Sequence, residues 1–218
     1  MFRAILLTQW KWSRLAIVAA IVLAFTIPIL SVQRFAGSGA EWIEGRIVLQ
    51  SMRAFAGWYA LLASAVGLGM AVTAWSADHR GRHVYALSLP VPRWQFALMR
   101  FGAGALMLLL PALALWAGAL LATSSVSIPA GMQAFPGSIA VRFLLGSLVI
   151  YSLFFAIASG TARTAGWVLG GLLVIVALVA FDSSIGLPDA ITNDLLDFVL
   201  AWPRAIELFT GRWMLIDV

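Results

Sequence analysis

Two histidines, four serines, one lysine and one arginine are the residues whose type and place raise a question of chemistry. His79 and His83 stand four apart, which on a helix puts both on one face, as zinc ligands sometimes are. But the chain has no cysteine, no Glu stands between the two, and the nearest acid is Asp78. The simpler reading is two solvated histidines adding positive charge beside a membrane surface. Ser64, Ser147, Ser152 and Ser159 fall in apolar runs that contain no His or Lys. A serine nucleophile needs such a base beside it, so this chemistry is unsupported. Lys11 is the only lysine and precedes the first apolar run, which excludes a Schiff base within a bundle. Neither GxxxxGK[ST] nor GxGxxG occurs, so there is no recognisable nucleotide cradle. The expectation is no catalytic residue, no metal and no cofactor.

Arg142 is the only charge inside any of the long apolar runs. An intramembrane charge can mark an ion or proton path. Arg142 lies near one end of its run, however, and its long stem lets the head reach the interface. Asp182, at the outer end of the next run, is its expected partner if it faces inward. A proton-driven carrier ordinarily shows acids deep in the bundle. None is present here, so the driving energy is expected to come from elsewhere.

The elements that carry these residues are set by composition. The chain is 62% hydrophobic and 11% charged, with mean hydropathy +0.98. Soluble domains have about 25% charged residues. The expected class is an all-α integral membrane protein, a single transmembrane domain over residues 1–218. Five runs have the length and apolarity to cross about 30 Å of hydrocarbon: 15–32, 54–75, 101–122, 139–159 and 165–181. In lipid each must be helical, because no backbone polar group can go unpaired. The first run has 18 residues, against about 7–15 for a signal-peptide core. It therefore reads as an uncleaved anchor, although Ser38–Ala40 is a weak cleavage candidate.

Both ends look amphipathic. Phe2, Ile5, Leu6 and Trp10 recur at helical spacing among Arg3, Lys11 and Arg14. This suggests an interfacial basic helix, or alternatively an extension of the first span. In the tail, 182–218, residues Leu195, Val199, Trp202, Ile206 and Phe209 recur similarly. Asp197, Arg204, Glu207, Arg212 and Pro203 oppose a sixth crossing. An interfacial helix and a short outer segment packed on the bundle both fit.

Lys and Arg in short loops set orientation. With the N-terminus cytoplasmic, Arg3, Lys11, Arg14, Arg80, Arg82, Arg93, Arg100 and Arg163 are inside, and Arg34, Arg46, Arg53, Arg142, Arg204 and Arg212 outside. Eight of nine acids then lie outside, all but Asp78. This predicts a cytoplasmic N-terminus. Small residues add a packing signal. Gly166 and Gly170 form a GxxxG, a spacing that lets helices approach closely. Gly57, Gly67 and Gly69 line the second run, and Gly102, Gly104 and Gly118 the third.

The longest loop on the inner side is 76–100, SADHRGRHVYALSLPVPRWQFALMR. Asp78 and Arg82 can pair across one helical turn. Val84, Leu87 and Leu89 give an apolar edge beside Tyr85. Pro90 stops the helix by disfavouring the α region at the residue before it. Pro92 suits a first helical position, and a new helix then enters the membrane at Arg93. A helix, a break and a restart make a stiff elbow.

This segment resembles the cytoplasmic loop of ABC-2 type transporter permeases, where a coupling helix after the second span is followed by a "slPvsR" motif. The matching residues are Leu87, Ser88, Leu89, Pro90, Val91, Pro92 and Arg93, with Pro92 where the family more often has Ser. The stretch TQWKWSR, residues 8–14, also resembles the family's amphipathic helix before the first span. The resemblance spans residues 1–181. The family normally has six spans, and a sixth is not evident here. The resemblance implies a permease subunit in the bacterial inner membrane, working as a homodimer or heterodimer with another permease chain. It further implies a separate ABC ATPase subunit that hydrolyses ATP, so this chain would not itself be an enzyme. The loop from Asp78 to Pro90 would dock on that ATPase, and an amphiphilic substrate would be exported by alternating access. The competing expectation is a membrane scaffold or accessory subunit without transport of its own. An intramembrane enzyme has no residue set behind it. No feature suggests nucleic acid.

Overall fold

A computed structural model describes residues 2–36, 45–80, 92–126, 128, 131–159, 167, 170, 208 and 213–217. Its elements are α1 (Phe2–Ala36), α2 (Gly45–Arg80), α3 (Arg93–Ser124), β1 (Gln133–Ala134), α4 (Pro136–Ala158) and β2 (Ile216–Asp217). All four helices are long and apolar enough to cross a membrane. They contain the runs 15–32, 54–75, 101–122 and nearly all of 139–159. Of the fifth expected span, 165–181, only Trp167 and Gly170 are described, both with helical backbone. The rest of it lies outside the described residues.

The sequence leaves two alternatives open at each end. The N-terminal dozen is not a separate interfacial helix. It is the first part of α1, a continuous helix of 35 residues, about 52 Å long at 1.5 Å per residue. No Gly or Pro precedes Pro28 within it, so nothing breaks the backbone ladder where the apolar run begins. At the other end, Leu208 has helical backbone, the rest of 195–212 lies outside the described residues, and Ile216–Asp217 is a strand. It pairs antiparallel with β1, Gln133 opposite Asp217 and Ala134 opposite Ile216. Trp213, Leu215 and Ile216 are buried in the bundle's core. For these last residues the packed outer segment is therefore the observed alternative.

The packing follows the glycines. A Cβ on Gly118 would collide with the backbone of Phe25, and one on Gly104 with the side chains of Gln9 and Tyr151. These contacts, 9 with 104 and 25 with 118, make α1 and α3 parallel. Gly67 lies against the Ser147 carbonyl, and Trp75 packs on Phe155, so α2 and α4 are parallel too. The α1–α3 and α2–α4 pairs are the most extensive interfaces, α1–α2 and α3–α4 complete a ring, and α2 and α3 meet only slightly. Close approach at small residues is the usual glue between helices in lipid.

Two clusters form the core, one at each end. Val32, Val48, Met52, Tyr59, Leu115, Phe143 and the tail's Trp213 fill the end where α1 finishes. Ile17, Met70, Trp75, Met107, Tyr151 and Phe155 fill the end where α1 begins. The outward faces are equally apolar, with Leu15, Val22, Leu61, Val72, Leu113 and Val141 exposed, as a lipid-facing surface requires. Trp10, Trp12 and Trp94 stand exposed near the starts of α1 and α3. That placement suits a membrane–water interface.

Candidate functional site

α2 ends and α3 starts at the end of the bundle where α1 begins. α2 runs on to Arg80, and α3 starts at Arg93. Pro92 has φ −55° and ψ 135° and is the N-cap, one position before the first helical place expected for it. Its extended ψ holds the carbonyl to accept the Gln95 and Phe96 N–H groups at 3.0 and 3.2 Å. The predicted restart at Arg93 is thus observed. Asp78 lies on α2, but its side chain and that of Arg93 are outside the described residues. So are Arg82, Val84, Tyr85, Leu87, Leu89 and Pro90, together with the His79 side chain and His83.

At this end the four helices converge on Arg100. Its exposure is only 6%, unusual for an arginine. The guanidinium carbon lies 4.9 Å from the Trp75 ring centroid and 5.2 Å from that of Phe96. Both distances are within reach of a cation–π attraction, which strengthens when the cation is desolvated. Phe96 and Arg100 share a face of α3 because they are four apart. Trp75 comes from the last turns of α2. Tyr151 of α4 stacks on Phe101, centroids 5.2 Å apart, and its hydroxyl donates to the Phe101 carbonyl at 3.2 Å. Phe155 closes the group against Trp75, Phe101 and Tyr151. From α1, Gln9 is buried and reaches Gly104 beside the Tyr151 hydroxyl. Ser13 donates to the Gln9 carbonyl at 2.7 Å and contacts the Met107 sulfur at 3.6 Å. The chemistry of this group is mechanical. It has no nucleophile beside a base, but it locks the exit of α2 and the start of α3 to α1 and α4.

The sequence reading treats Arg100 as one loop charge among several and passes over Gln9 and Tyr151. The Phe96–Arg100 spacing is a local signal that was present. Trp75 and Tyr151 become neighbours only through tertiary packing. The serines that attract a nucleophile question donate to their own helices: Ser64 to Ala60, Ser147 to Leu144, Ser152 to Leu148 and Ser159 to Ala156. This local satisfaction is how a hydroxyl enters an apolar layer.

At the opposite end, Arg142 is half-buried, and its guanidinium carbon lies 5.8 Å from the Trp213 ring centroid. Asp182, the partner expected for it, lies outside the described residues. Tyr59 and Ser31 share a hydrogen bond of 3.2 Å between α2 and α1. Of the GxxxG pair, Gly166 is outside the described residues, and Gly170 has no described neighbour within 4 Å of where a Cβ would stand.

No protein-family model, curated protein or solved structure matches the chain. The class rests on the fold itself. Four long apolar helices with an apolar exterior fit an integral membrane protein.

Proposed function

We propose that this chain is the membrane-spanning subunit of an ATP-driven exporter of the ABC-2 type, working as a dimer with a separate ATPase subunit. The observation that carries the reading is the position of LSLPVPR, directly before the second of two helices whose ends are clamped at Arg100. A force applied to residues 78–90 would act on the ends of α2 and α3. Through Trp75, Tyr151 and Gln9 it would reach α4 and α1 without being absorbed in a loose joint. The switch would be a rigid-body tilt of packed helices. A phosphate-binding loop is absent from the sequence, which suits hydrolysis on a partner. The buried interior is packed with apolar side chains such as Met52, Tyr59, Leu115 and Phe143, with alanines such as Ala63 and Ala119 between them. A substrate path between two chains fits this better than one through a single bundle, and an amphiphilic substrate suits its apolar walls.

The test is purification with an ATPase from native membranes. Tyr85→Asp and Leu87→Asp are expected to weaken that association and the ATPase rate at least several-fold. Unchanged association and rate would refute the coupling role. The second reading, a scaffold without transport, is favoured by the scarcity of functional polar residues in the apolar runs. Reconstituted vesicles that move substrate only with this chain present would eliminate it.

A further inference from the structure

An open groove of about 530 Å³ runs along the side of the bundle between α1 and α3. Leu6, Leu7 and Trp10 form its α1 wall, and Leu106, Leu110 and Leu113 lie on its α3 wall. Because α1 and α3 are parallel and residue 9 meets residue 104, the α1 residues line its outer mouth. The α3 residues carry it deeper, about 10 Å along the helix axis from 106 to 113.

The mouth is cationic. Arg3, Leu7, Trp10 and Arg14 are spaced by four, three and four, so they share one stripe of α1. Two of that stripe's members are groove wall, and the other two are exposed arginines on either side of them. Lys11 is exposed at the same level. α1 has no Asp or Glu along its length. Trp10 and Trp12, partly exposed here, mark the depth at which lipid headgroups lie. Helical side chains lean toward the N-terminus, which carries the Arg14 head back toward that same level and the Arg3 head outward from it.

A hydrocarbon slot opening beneath a set of cations on an acid-free helix complements one kind of molecule, a negatively charged amphiphile with its head at the interface. We infer that the α1–α3 groove is a binding site for an anionic phospholipid, its phosphate held by Arg14 within the positive field of Arg3 and Lys11, and one acyl chain laid along Leu106–Leu113. The inference is independent of the transport reading, since it uses neither the loop nor a partner subunit. It also gives the long N-terminal extension of α1 a use, because Arg3, Leu7 and Trp10 all precede the first apolar run.

The test uses the full chain in phosphatidylcholine nanodiscs with a trace of phosphatidylglycerol carrying a photoactivatable diazirine on one acyl chain. A phosphatidylcholine probe of the same design runs in parallel. The phosphatidylglycerol probe is expected to label the peptide containing Leu106–Leu113 well above the phosphatidylcholine probe. The double variant R3Q/R14Q is expected to lower that labelling roughly five- to thirtyfold, about fivefold for each cation near the surface. Both sites are exposed, so folding is not at stake. Leu110→Trp narrows the groove with the cations intact and is expected to lower phosphatidylglycerol labelling alone. Equal labelling by the two probes would overturn the inference. So would indifference to either variant, or crosslinks joining two copies of the chain through this groove.

Discussion

Arg100 shows how one side chain can be visible in a sequence while its role is not. As a letter it is a basic residue closing a basic loop. In the folded chain it lies against the rings of Trp75 and Phe96, with Tyr151, 51 residues further on, donating weakly to its carbonyl at 3.5 Å. Tertiary contacts of this kind leave no spacing pattern to read. The guanidinium is planar and weakly hydrated, so it can lie on ring faces where an ammonium cannot lie as well. Arg100→Ala is expected to lower unfolding stability by about 2–4 kcal/mol, from two ring contacts at about 2 kcal/mol each for a desolvated cation. Arg100→Lys is expected to recover only part of it. Thermal unfolding of the purified protein in one detergent checks both, and equal stability of wild type and Arg100→Ala would remove the clamp.

At the scale of elements, hydropathy finds the first four helices but not their lengths. Arg3, Lys11 and Arg14 end the apolar run at residue 15, yet they do not end the helix. Charge disfavours burial in lipid, whereas only backbone chemistry such as proline or glycine interrupts the ladder. Glycines teach a related lesson. In the sequence Gly57, Gly67 and Gly69 look alike, and so do Gly102, Gly104 and Gly118. Only Gly67, Gly104 and Gly118 stand where another helix's atoms occupy the place of a Cβ. Gly67→Ala and Gly118→Ala, which meet backbone, are expected to destabilise by about 1–3 kcal/mol, the usual range for overpacking. Gly57→Ala and Gly69→Ala meet nothing and are expected to be neutral or slightly stabilising, since alanine is the better helix former. The same unfolding measurement ranks all four, and a loss at Gly57 or Gly69 matching that at Gly67 would contradict this packing.

For the whole molecule, the two ends carry different work. One end gathers the core's tyrosine–arginine group between the end of α2 and the start of α3. The other is closed by the tail, where the Phe135 N–H donates to the Leu215 carbonyl at 2.9 Å and Trp213 is buried. That closure was open in the sequence, because a two-residue strand pairing across more than 80 positions has no local pattern. Removing residues 213–218 is expected to loosen the end nearest Tyr59 while leaving the Arg100 end folded. Protease cleavage after α1 should then rise several-fold, with cleavage between α2 and α3 unchanged. Equal rises at both ends would show that the two halves of the core are not separable. Orientation is testable in the cysteine-free chain. Single cysteines at Ser38 and Ser88 are expected to react from opposite sides of the membrane, Ser88 from the cytoplasm, and reaction from one side would overturn the predicted topology.

The central claim is that residues 78–90 transmit work from an ATPase into this bundle. The most direct measurement is the ATP hydrolysis rate of the complex purified from native membranes, wild type against Leu87→Asp, at matched amounts of this chain. The account predicts a co-purifying ATPase whose association and rate fall at least several-fold with Leu87→Asp. An identical rate and an equally retained ATPase, or wild-type preparations with no nucleotide-hydrolysing partner, would contradict it.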